Sequence, residues 1–165
     1  MAAGVIEERL AAMGLSLPGM PVATPGAAQP PYWIRVRNGV AWISGQSART
    51  AEGKGAGPYG KIPTEVSIEE GREAAKGAGL ALLATLKHEL GDLDRVTAWL
   101  NVQGMVNAEP GFTGTSAVIN GFSEFIIELF GPEIGAHARI SPGMATLPGN
   151  AAVVIAAQVE VDGGR

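Results

Sequence analysis

The stretch SIEEGREAAKGAGLALLATLKHEL, residues 67–90, leads directly into GDLDRVTAWLNVQGMV, residues 91–106, and this junction decides the fold. Ser67 and Glu70 have the spacing of a capping box, in which the Ser67 hydroxyl accepts the Glu70 N–H and the Glu70 carboxylate reaches back to the Ser67 N–H. Gly91 is a typical C-terminal stop for a helix. In the second segment apolar and polar residues alternate, as they do in a half-buried strand. The stretch therefore predicts a long helix followed at once by a long strand.

A β-hairpin is predicted before this stretch. Residues 32–36 and 40–44 are rich in β-branched and aromatic types, which favour strands. Asn38-Gly39 lies between the two runs, and this dipeptide is the strongest short hairpin signal because both residues tolerate positive φ. We therefore expect the domain to open with two antiparallel strands.

The chain in front of the hairpin predicts an appended segment. Residues 5–13 have the pattern of a short amphipathic helix, and residues 18–31 form a Pro/Gly/Ala stretch with little periodicity. We expect a helix and arm over residues 1–31 and a domain over residues 32–165. An arm of this kind is more often a connector than a lid or a subunit contact, so a connector is the expected role.

The C-terminal half completes an α+β pattern. Residues 118–130 predict a second helix that Gly131-Pro132 would end, and residues 138–141 and 152–161 predict the last strands. The element order predicts a sandwich in which two helices pack on one face of a mixed β-sheet. No predicted helix remains to cover the opposite face, so we expect another subunit to bury it.

Composition excludes several classes of protein. The chain has 165 residues, 46 % of them hydrophobic, and no cysteine, which excludes a disulfide framework, a zinc-thiolate site and a cysteine nucleophile. The net charge of −4 gives no positive field that would attract nucleic acid or an anionic membrane. No apolar run approaches the roughly 20 residues that span a bilayer. We expect a soluble cytoplasmic protein with neither a membrane nor a nucleic-acid partner.

Two motifs that point to cofactors or metals are weak. Gly55, Gly60 and Lys61 match part of a phosphate-binding loop, but Ile62 stands where the Mg²⁺-binding Ser or Thr would be and no helix begins directly after it. The two histidines lie far apart, and no group of His, Asp and Glu has metal-ligand spacing. The sequence also lacks the G-x-S-x-G signature of serine hydrolases. We expect no cofactor and no metal.

Arg139 is the most informative charged residue, because it lies in an apolar run that predicts a strand. A buried arginine needs a partner. One interpretation is a structural ion pair with Glu124, Glu128 or Glu133, and the other is a clamp for a ligand carboxylate, which suits the guanidinium fork. Ser141 lies two residues on and is expected on the same face of the strand.

Two polar positions could belong to the same site. Asn120, near the expected start of the second helix, is either a helix cap or a ligand contact. Tyr32 follows Pro30-Pro31 at the mouth of the first strand, where it is either a packed edge aromatic or part of a ligand site. The residues alone leave both alternatives open.

Several short motifs, in this order and spacing, resemble the YjgF/RidA family, also known as endoribonuclease L-PSP, and in particular its chorismate-mutase-like branch. The resemblance covers about residues 32–161. The motifs that carry it are Trp42-Ile43-Ser44-Gly45-Gln46, Ser67-Ile68-Glu69-Glu70-Gly71, Leu90 to Val96, Asn107 to Phe112, and Ala138-Arg139 followed by Leu147-Pro148.

The resemblance implies a chorismate-mutase-like fold and a homotrimer whose sheets face inward, with ligand clefts between subunits. It also implies hydrolysis of reactive enamines and imines to 2-oxo acids and ammonia without a cofactor. By position in the motifs, Arg139 would hold the substrate carboxylate. Tyr32, Gly45, Asn120 and Ser141 would frame the ligand.

The sequence departs from the family at one catalytic position. The family's carboxylate lies seven residues after the Leu of Leu-Pro, and Val154 occupies that position here. Glu160 lies about 20 Å further along the strand at roughly 3.3 Å per residue, too far to replace it. Pro142-Gly143 also interrupts the strand that carries Arg139.

The expected function is therefore a trimer that binds a small carboxylate or imino-acid metabolite, with at most weak deaminase activity. A non-catalytic metabolite-binding protein is the alternative. An endoribonuclease is less expected, because the chain is acidic and has no pair of histidines for phosphodiester chemistry.

Overall fold

A computed structural model describes residues 4–23, 26 and 32–163. The helices are α1 Val5–Ala12, α2 Ile68–Leu90, α3 Thr115–Phe130 and α4 Pro132–Gly135. The strands are β1 Ile34–Arg37, β2 Val40–Gln46, β3 Val96–Asn107, β4 Ala138–Ile140, β5 Gly143–Met144 and β6 Val153–Val161. None of the helices in the described part of the chain combines the length and the apolar character needed to cross a membrane.

The strands form one mixed sheet in the order β1-β2-β6-β3-β4, and β5 also pairs with β3. The short strands β4 and β5 run parallel to β3, and the other neighbours are antiparallel. Asn38 and Gly39 join β1 to β2 with φ values of +51° and +72°, as the hairpin signal predicts. The predicted α+β fold is confirmed.

Helix α2 begins and ends where its local signals predict. Glu70 N donates to Ser67 Oγ at 3.1 Å, and Ser67 N donates to Glu70 Oε2 at 2.8 Å, so the capping box is complete. Gly91 ends the helix with φ of +79°, a conformation that glycine adopts without strain. At Gly79 a Cβ atom would lie 3.1 Å from the ring of Phe122, so the small residue lets α2 and α3 approach closely.

One face of the sheet is sealed by α2 and α3. Val102, Ile155 and Val159 have no exposed surface on that face, and the ring of Trp99 meets the ring of Phe122 edge-on at 5.6 Å. Edge-to-face contacts of this kind add to the free energy gained by burying the rings. This helix-covered face contains the core of the molecule.

The opposite face, here called the open face, carries large apolar side chains in contact with solvent. Trp42 is 52 % exposed and Ile140 is 58 % exposed. The uncovered face that the element order predicts is therefore present among the described residues.

Helix α1 packs against the same core. Ile6 and Leu10 are buried in it, and the Asp94 carboxylate accepts the N–H groups of Val5 at 2.7 Å and Ile6 at 2.9 Å. A carboxylate at a helix N-terminus satisfies orphan donors and complements the helix dipole. The arm beyond α1 follows the loop at residues 49–53, where Gly19 N donates to the Thr50 carbonyl at 3.2 Å. Most of the predicted arm between residues 24 and 31 lies outside the described residues.

Several element boundaries differ from the prediction, and two of these differences affect candidate site residues. Helix α3 begins at Thr115 rather than at residue 118, which places Asn120 inside the helix instead of at its cap. Pro142, which has no N–H, divides the strand predicted over 138–141 and its continuation into β4 and β5. The helix α4, of four residues, was not predicted, because one turn carries no periodicity.

Candidate functional site

Arg139 lies on the edge strand β4 and is held by side chains and a carbonyl of α3. Its Nη1 donates to Ser123 Oγ at 2.8 Å. Its Nη2 donates to Asn120 Oδ1 at 2.6 Å and to the Ser116 carbonyl at 3.3 Å. Arg139 pairs with Val102 in register, so its side chain leaves the sheet on the helix-covered side. The structure therefore joins two of the sequence-predicted residues, Arg139 and Asn120.

The charge of Arg139 is not neutralised by a neighbouring carboxylate. Within residues 4–23, 26 and 32–163, the recorded ion pairs are Arg72–Glu124, Lys87–Glu7 and Arg95–Asp162. Glu124, one of the three predicted partners, thus pairs with Arg72. The ion-pair interpretation of Arg139 with Glu124, Glu128 or Glu133 is wrong: within the described residues this half-buried cation is held by the neutral acceptors Ser123, Asn120 and Ser116.

His137 and Ser123 complete this cluster, and the sequence reasoning did not assign either of them to a site. His137 Nε2 lies 2.8 Å from Ser123 Oγ, and His137 Nδ1 lies 2.7 Å from the Gly135 carbonyl oxygen. Burial lowers the pKa of His137, the Gly135 hydrogen bond opposes this shift, and the positive charge of Arg139 lowers the pKa further. The spacing of Ser116, Asn120 and Ser123 places them on one side of a helix and was the available signal.

Tyr32 lies in a different region, at the β1 end of the open face. Its side chain is 61 % exposed, and the Arg35 guanidinium lies 5.3 Å from the centre of its ring. Ser44 Oγ donates to the Tyr32 carbonyl at 2.8 Å. Tyr32 therefore contacts Arg35 of β1 and Ser44 of β2, and it lies apart from the cluster around Arg139.

Gly45 lies next to Val154, the position at which the resemblance to the family leads one to expect a carboxylate. The register between β2 and β6 shifts between Ile43 and Gln46, and Gly45 lies in that irregular segment. A Cβ atom on Gly45 would approach Val154 Cγ1 to 2.9 Å, closer than packing allows without a shift. Because Gly45 has no side chain, the Val154 side chain fits beside it on the open face.

A cavity of about 620 Å³ opens on this face of the sheet. Asn101 Nδ2 donates to Gln158 Oε1 at 3.1 Å at its floor. Arg35 and Arg37 give its rim a positive charge. Tyr32 and Trp42 are its aromatic lining.

The two groups of candidate residues do not meet within one chain. β1 and β4 are opposite edges of the sheet, four strand spacings or about 19 Å apart. Val154 faces the open side, whereas Arg139 faces the helix-covered side. Ser141 follows the last residue of β4, so the strand alternation does not extend to it.

The Gly-rich loop uses its lysine as an internal tether. Lys61 Nζ donates to Asn107 Oδ1 at 3.0 Å, to the Ala108 carbonyl at 3.4 Å and to the Ala145 carbonyl at 2.6 Å. These three bonds account for all three N–H groups of the ammonium. The lysine of the partial phosphate-loop motif therefore fastens the loop to the chain that follows β3 and β5.

Three carboxylates in the described residues lie close enough to hold a metal ion: Glu7, Asp92 and Asp94, with ligand atoms within 4.8 Å of one another. Asp94 already caps α1, and Glu7 pairs with Lys87. Both carboxylates therefore have partners within the protein.

Comparison with known proteins adds to this geometry. The curated protein TCP17 of Trypanosoma cruzi is 34 % identical to the chain over 163 residues, which cover 98 % of both proteins. Among solved structures, Atu1372 of Agrobacterium tumefaciens, a protein of unknown function, is 34 % identical with a TM-score of 0.84, over 96 % of this chain and 94 % of its own. No model of a known protein family matches the chain.

Two further structures carry names that describe a function or a family. A candidate endoribonuclease of Shewanella oneidensis is 26 % identical with a TM-score of 0.84, over 96 % of this chain and all 100 % of its own. RidA of an Antarctic Psychrobacter is 16 % identical with a TM-score of 0.54, over 86 % of this chain and 94 % of its own, which shows a shared fold.

Proposed function

We propose that this chain, which belongs to the YjgF/RidA family, binds a small metabolite with a carboxylate group, of the imino-acid or 2-oxo-acid type, in clefts between the subunits of a homotrimer. The observation that carries the proposal is Arg139. Its guanidinium is oriented by Ser123 and Asn120 yet has no carboxylate partner among the described residues. A planar guanidinium in that state is matched by a ligand carboxylate.

The charge of Arg139 favours an anionic ligand. A ligand carboxylate would add a Coulomb attraction that the neutral acceptors Ser123 and Asn120 do not provide. Neutral acceptors fix the orientation of Arg139 and leave its charge uncompensated. The three bonds to α3 use three of the five N–H groups of the guanidinium, and an incoming carboxylate would bind to the others.

The arrangement of the sheet supports a location between subunits. Tyr32, Gly45 and Val154 lie on or beside the open face, and Arg139 lies at the opposite edge on the other side. A ligand that contacts both groups requires two copies of the chain. The exposed Trp42 and Ile140 give the open face apolar surface that a second copy would bury.

Catalysis is the less supported part of the proposal. Imine hydrolysis adds water to the C=N carbon and then releases ammonia, and a general base that orients this water contributes roughly 10²–10⁴-fold. Val154 cannot act as a base. Any deaminase activity is therefore expected to be weak, and binding is the main function proposed.

The test measures binding and turnover separately. 2-Oxobutanoate is titrated into the full chain by isothermal titration calorimetry, and ammonia release is followed with freshly generated 2-iminobutanoate and 2-iminopropanoate. Arg139→Ala should weaken 2-oxobutanoate binding by at least about 10-fold, the lower end of a lost charged hydrogen bond. Arg72→Ala is the matched control, because Arg72 also contacts α3 but is already paired with Glu124.

The outcomes separate the roles. Unchanged affinity in Arg139→Ala, or no 2-oxobutanoate binding by the natural chain, would refute the carboxylate clamp. Binding without ammonia release above the buffer rate identifies a binding protein. Ammonia release that Arg139→Ala abolishes identifies a deaminase that works without the family's usual carboxylate.

A further inference from the structure

The donor and the acceptor of each hydrogen bond around His137 can be assigned by starting from the Gly135 carbonyl. The Gly135 carbonyl oxygen can only accept, so His137 Nδ1, at 2.7 Å from it, carries the proton. In the neutral ring Nε2 is then an acceptor, and the Ser123 hydroxyl at 2.8 Å donates to it. Ser123 Oγ in turn accepts from Arg139 Nη1 at 2.8 Å. The bonds therefore run in one direction, from Arg139 through Ser123 and His137 to Gly135.

The surroundings of His137 favour this neutral state. The ring is half-buried, and the ring of Phe122 meets it edge-on at 5.7 Å. Arg139 is the charged group recorded as acting on it, and this charge disfavours a second cation. The other recorded contacts, Ser123 on α3 and Gly135 on α4, are neutral.

The direction of the chain has a consequence for Arg139. A serine hydroxyl on a helix can rotate and donate to the carbonyl one turn earlier. Here the acceptor Nε2 of His137 fixes the hydroxyl hydrogen, so a lone pair of Ser123 Oγ is directed at Arg139. We propose that His137 is a positioning residue that acts through Ser123 to hold the Arg139 guanidinium ready for a carboxylate without neutralising it.

The benefit of a positioned Arg139 rests on the proposed function, but the role of His137 can be tested without a ligand. The first measurement is made without ligand: nitrogen-15 NMR of the arginine side chains reports whether rotation of the Arg139 guanidinium is restricted. His137→Phe keeps a ring against Phe122 but removes the acceptor. His137→Gln keeps an acceptor near the position of Nε2. We expect restricted rotation in the natural chain and in His137→Gln, and free rotation in His137→Phe.

The second measurement is the affinity for 2-oxobutanoate in a double-mutant cycle with Ser123→Ala. Loss of one hydrogen bond in the chain should weaken binding by about 5–10-fold in His137→Phe. Because His137 acts through Ser123, the double variant should bind no more weakly than Ser123→Ala alone. His137→Gln should restore most of the affinity.

The inference is overturned if His137→Phe leaves Arg139 as restricted as in the natural chain, if His137→Gln fails to rescue, or if the two losses add. Urea unfolding of each variant shows whether a loss reflects the fold instead. If the natural chain binds no 2-oxobutanoate, the proposed function fails, and the NMR comparison still decides the role of His137.

Discussion

Two tryptophans on the same sheet have opposite surroundings: Trp99 is 2 % exposed on the helix-covered face, and Trp42 is 52 % exposed on the open face. Trp99 is enclosed by the rings of Phe122 and Phe130. Trp42 borders the cavity that Arg35 and Gln158 also line. A single chain buries the tryptophan of the covered face, whereas it leaves the tryptophan of the open face exposed to water.

The contrast between the two faces suggests separate roles: the covered face stabilises the fold, and the open face is available for assembly and ligand binding. On the covered face the buried side chains are mostly apolar, and the buried polar pair Gln46 and Thr85 is joined by a hydrogen bond of 3.1 Å. On the open face polar, charged and aromatic side chains share a concave surface. Changes on the first face should alter the unfolding of the chain, and changes on the second should alter assembly and ligand binding.

The largest effect is expected from Trp42→Lys. Trp42 lies directly opposite Arg35 on the neighbouring strand, so in the proposed trimer this change buries an ammonium beside another cation in every subunit, and each such unpaired charge costs several kcal/mol. Light scattering after gel filtration should give the single-chain mass for the variant and a trimer for the natural chain. Trp42→Phe, which keeps an apolar ring, should remain assembled. A natural chain that runs as a monomer would contradict the trimer.

The next effect is the loss of packing on the covered face. Phe122→Ala removes a ring that contacts Trp99, His137 and α2, and a cavity of that size costs about 3–5 kcal/mol of unfolding free energy. Urea denaturation measures the loss. Ile127→Ala is the control, because Ile127 lies on the same helix but is 37 % exposed. Equal losses in the two variants would show that the contrast between the faces is wrong.

A smaller effect, on the rate of ammonia release, is expected from a change on the open face. Val154→Glu restores a carboxylate where the family has its base, beside Gly45. If the cleft forms as proposed, ammonia release from 2-iminobutanoate should rise by about 100-fold, the lower end of general-base assistance. Val154→Gln has nearly the same shape without the charge and should not accelerate the reaction. An equal rate in both variants would exclude a role for this position as a base.

The smallest effect is a dependence of stability on pH at the edge of the covered face. The folded chain lowers the pKa of His137 from its ordinary value of 6.5, so the unfolded chain binds the proton more readily. Stability from His137 is therefore present above pH 6.5 and is lost as the pH falls through the lowered pKa. Urea midpoints at several pH values should show this loss in the natural chain and a smaller one in His137→Gln. Equal slopes would show that His137 is not shifted.

Local signals predicted the elements that depend on few residues. The capping box of Ser67 and Glu70 and the Asn38-Gly39 turn act over three or four residues, and both are confirmed. α4 and β5 were missed, since four and two residues are too short for a periodic pattern.

The candidate site was less predictable because its contacts are long-range. The sequence left Asn120 as either a helix cap or a ligand contact, and the structure shows that its side chain accepts from Arg139, 19 residues away. His137 and Ser123 are joined across 14 residues by the corner between α3 and β4. Strand order, which separates Tyr32 from Arg139, is set by the pairing of β6 between β2 and β3 and leaves no local trace in the sequence.

The proline between β4 and β5 also bears on how the molecule avoids aggregation. An exposed strand edge offers a row of N–H and C=O groups on which a foreign strand can assemble. At this edge the pairing residues are three in β4 and two in β5, and Pro142 between them offers no N–H. The interrupted edge is thus a poor template for fibre growth, which is compatible with the closed assembly proposed through the open face.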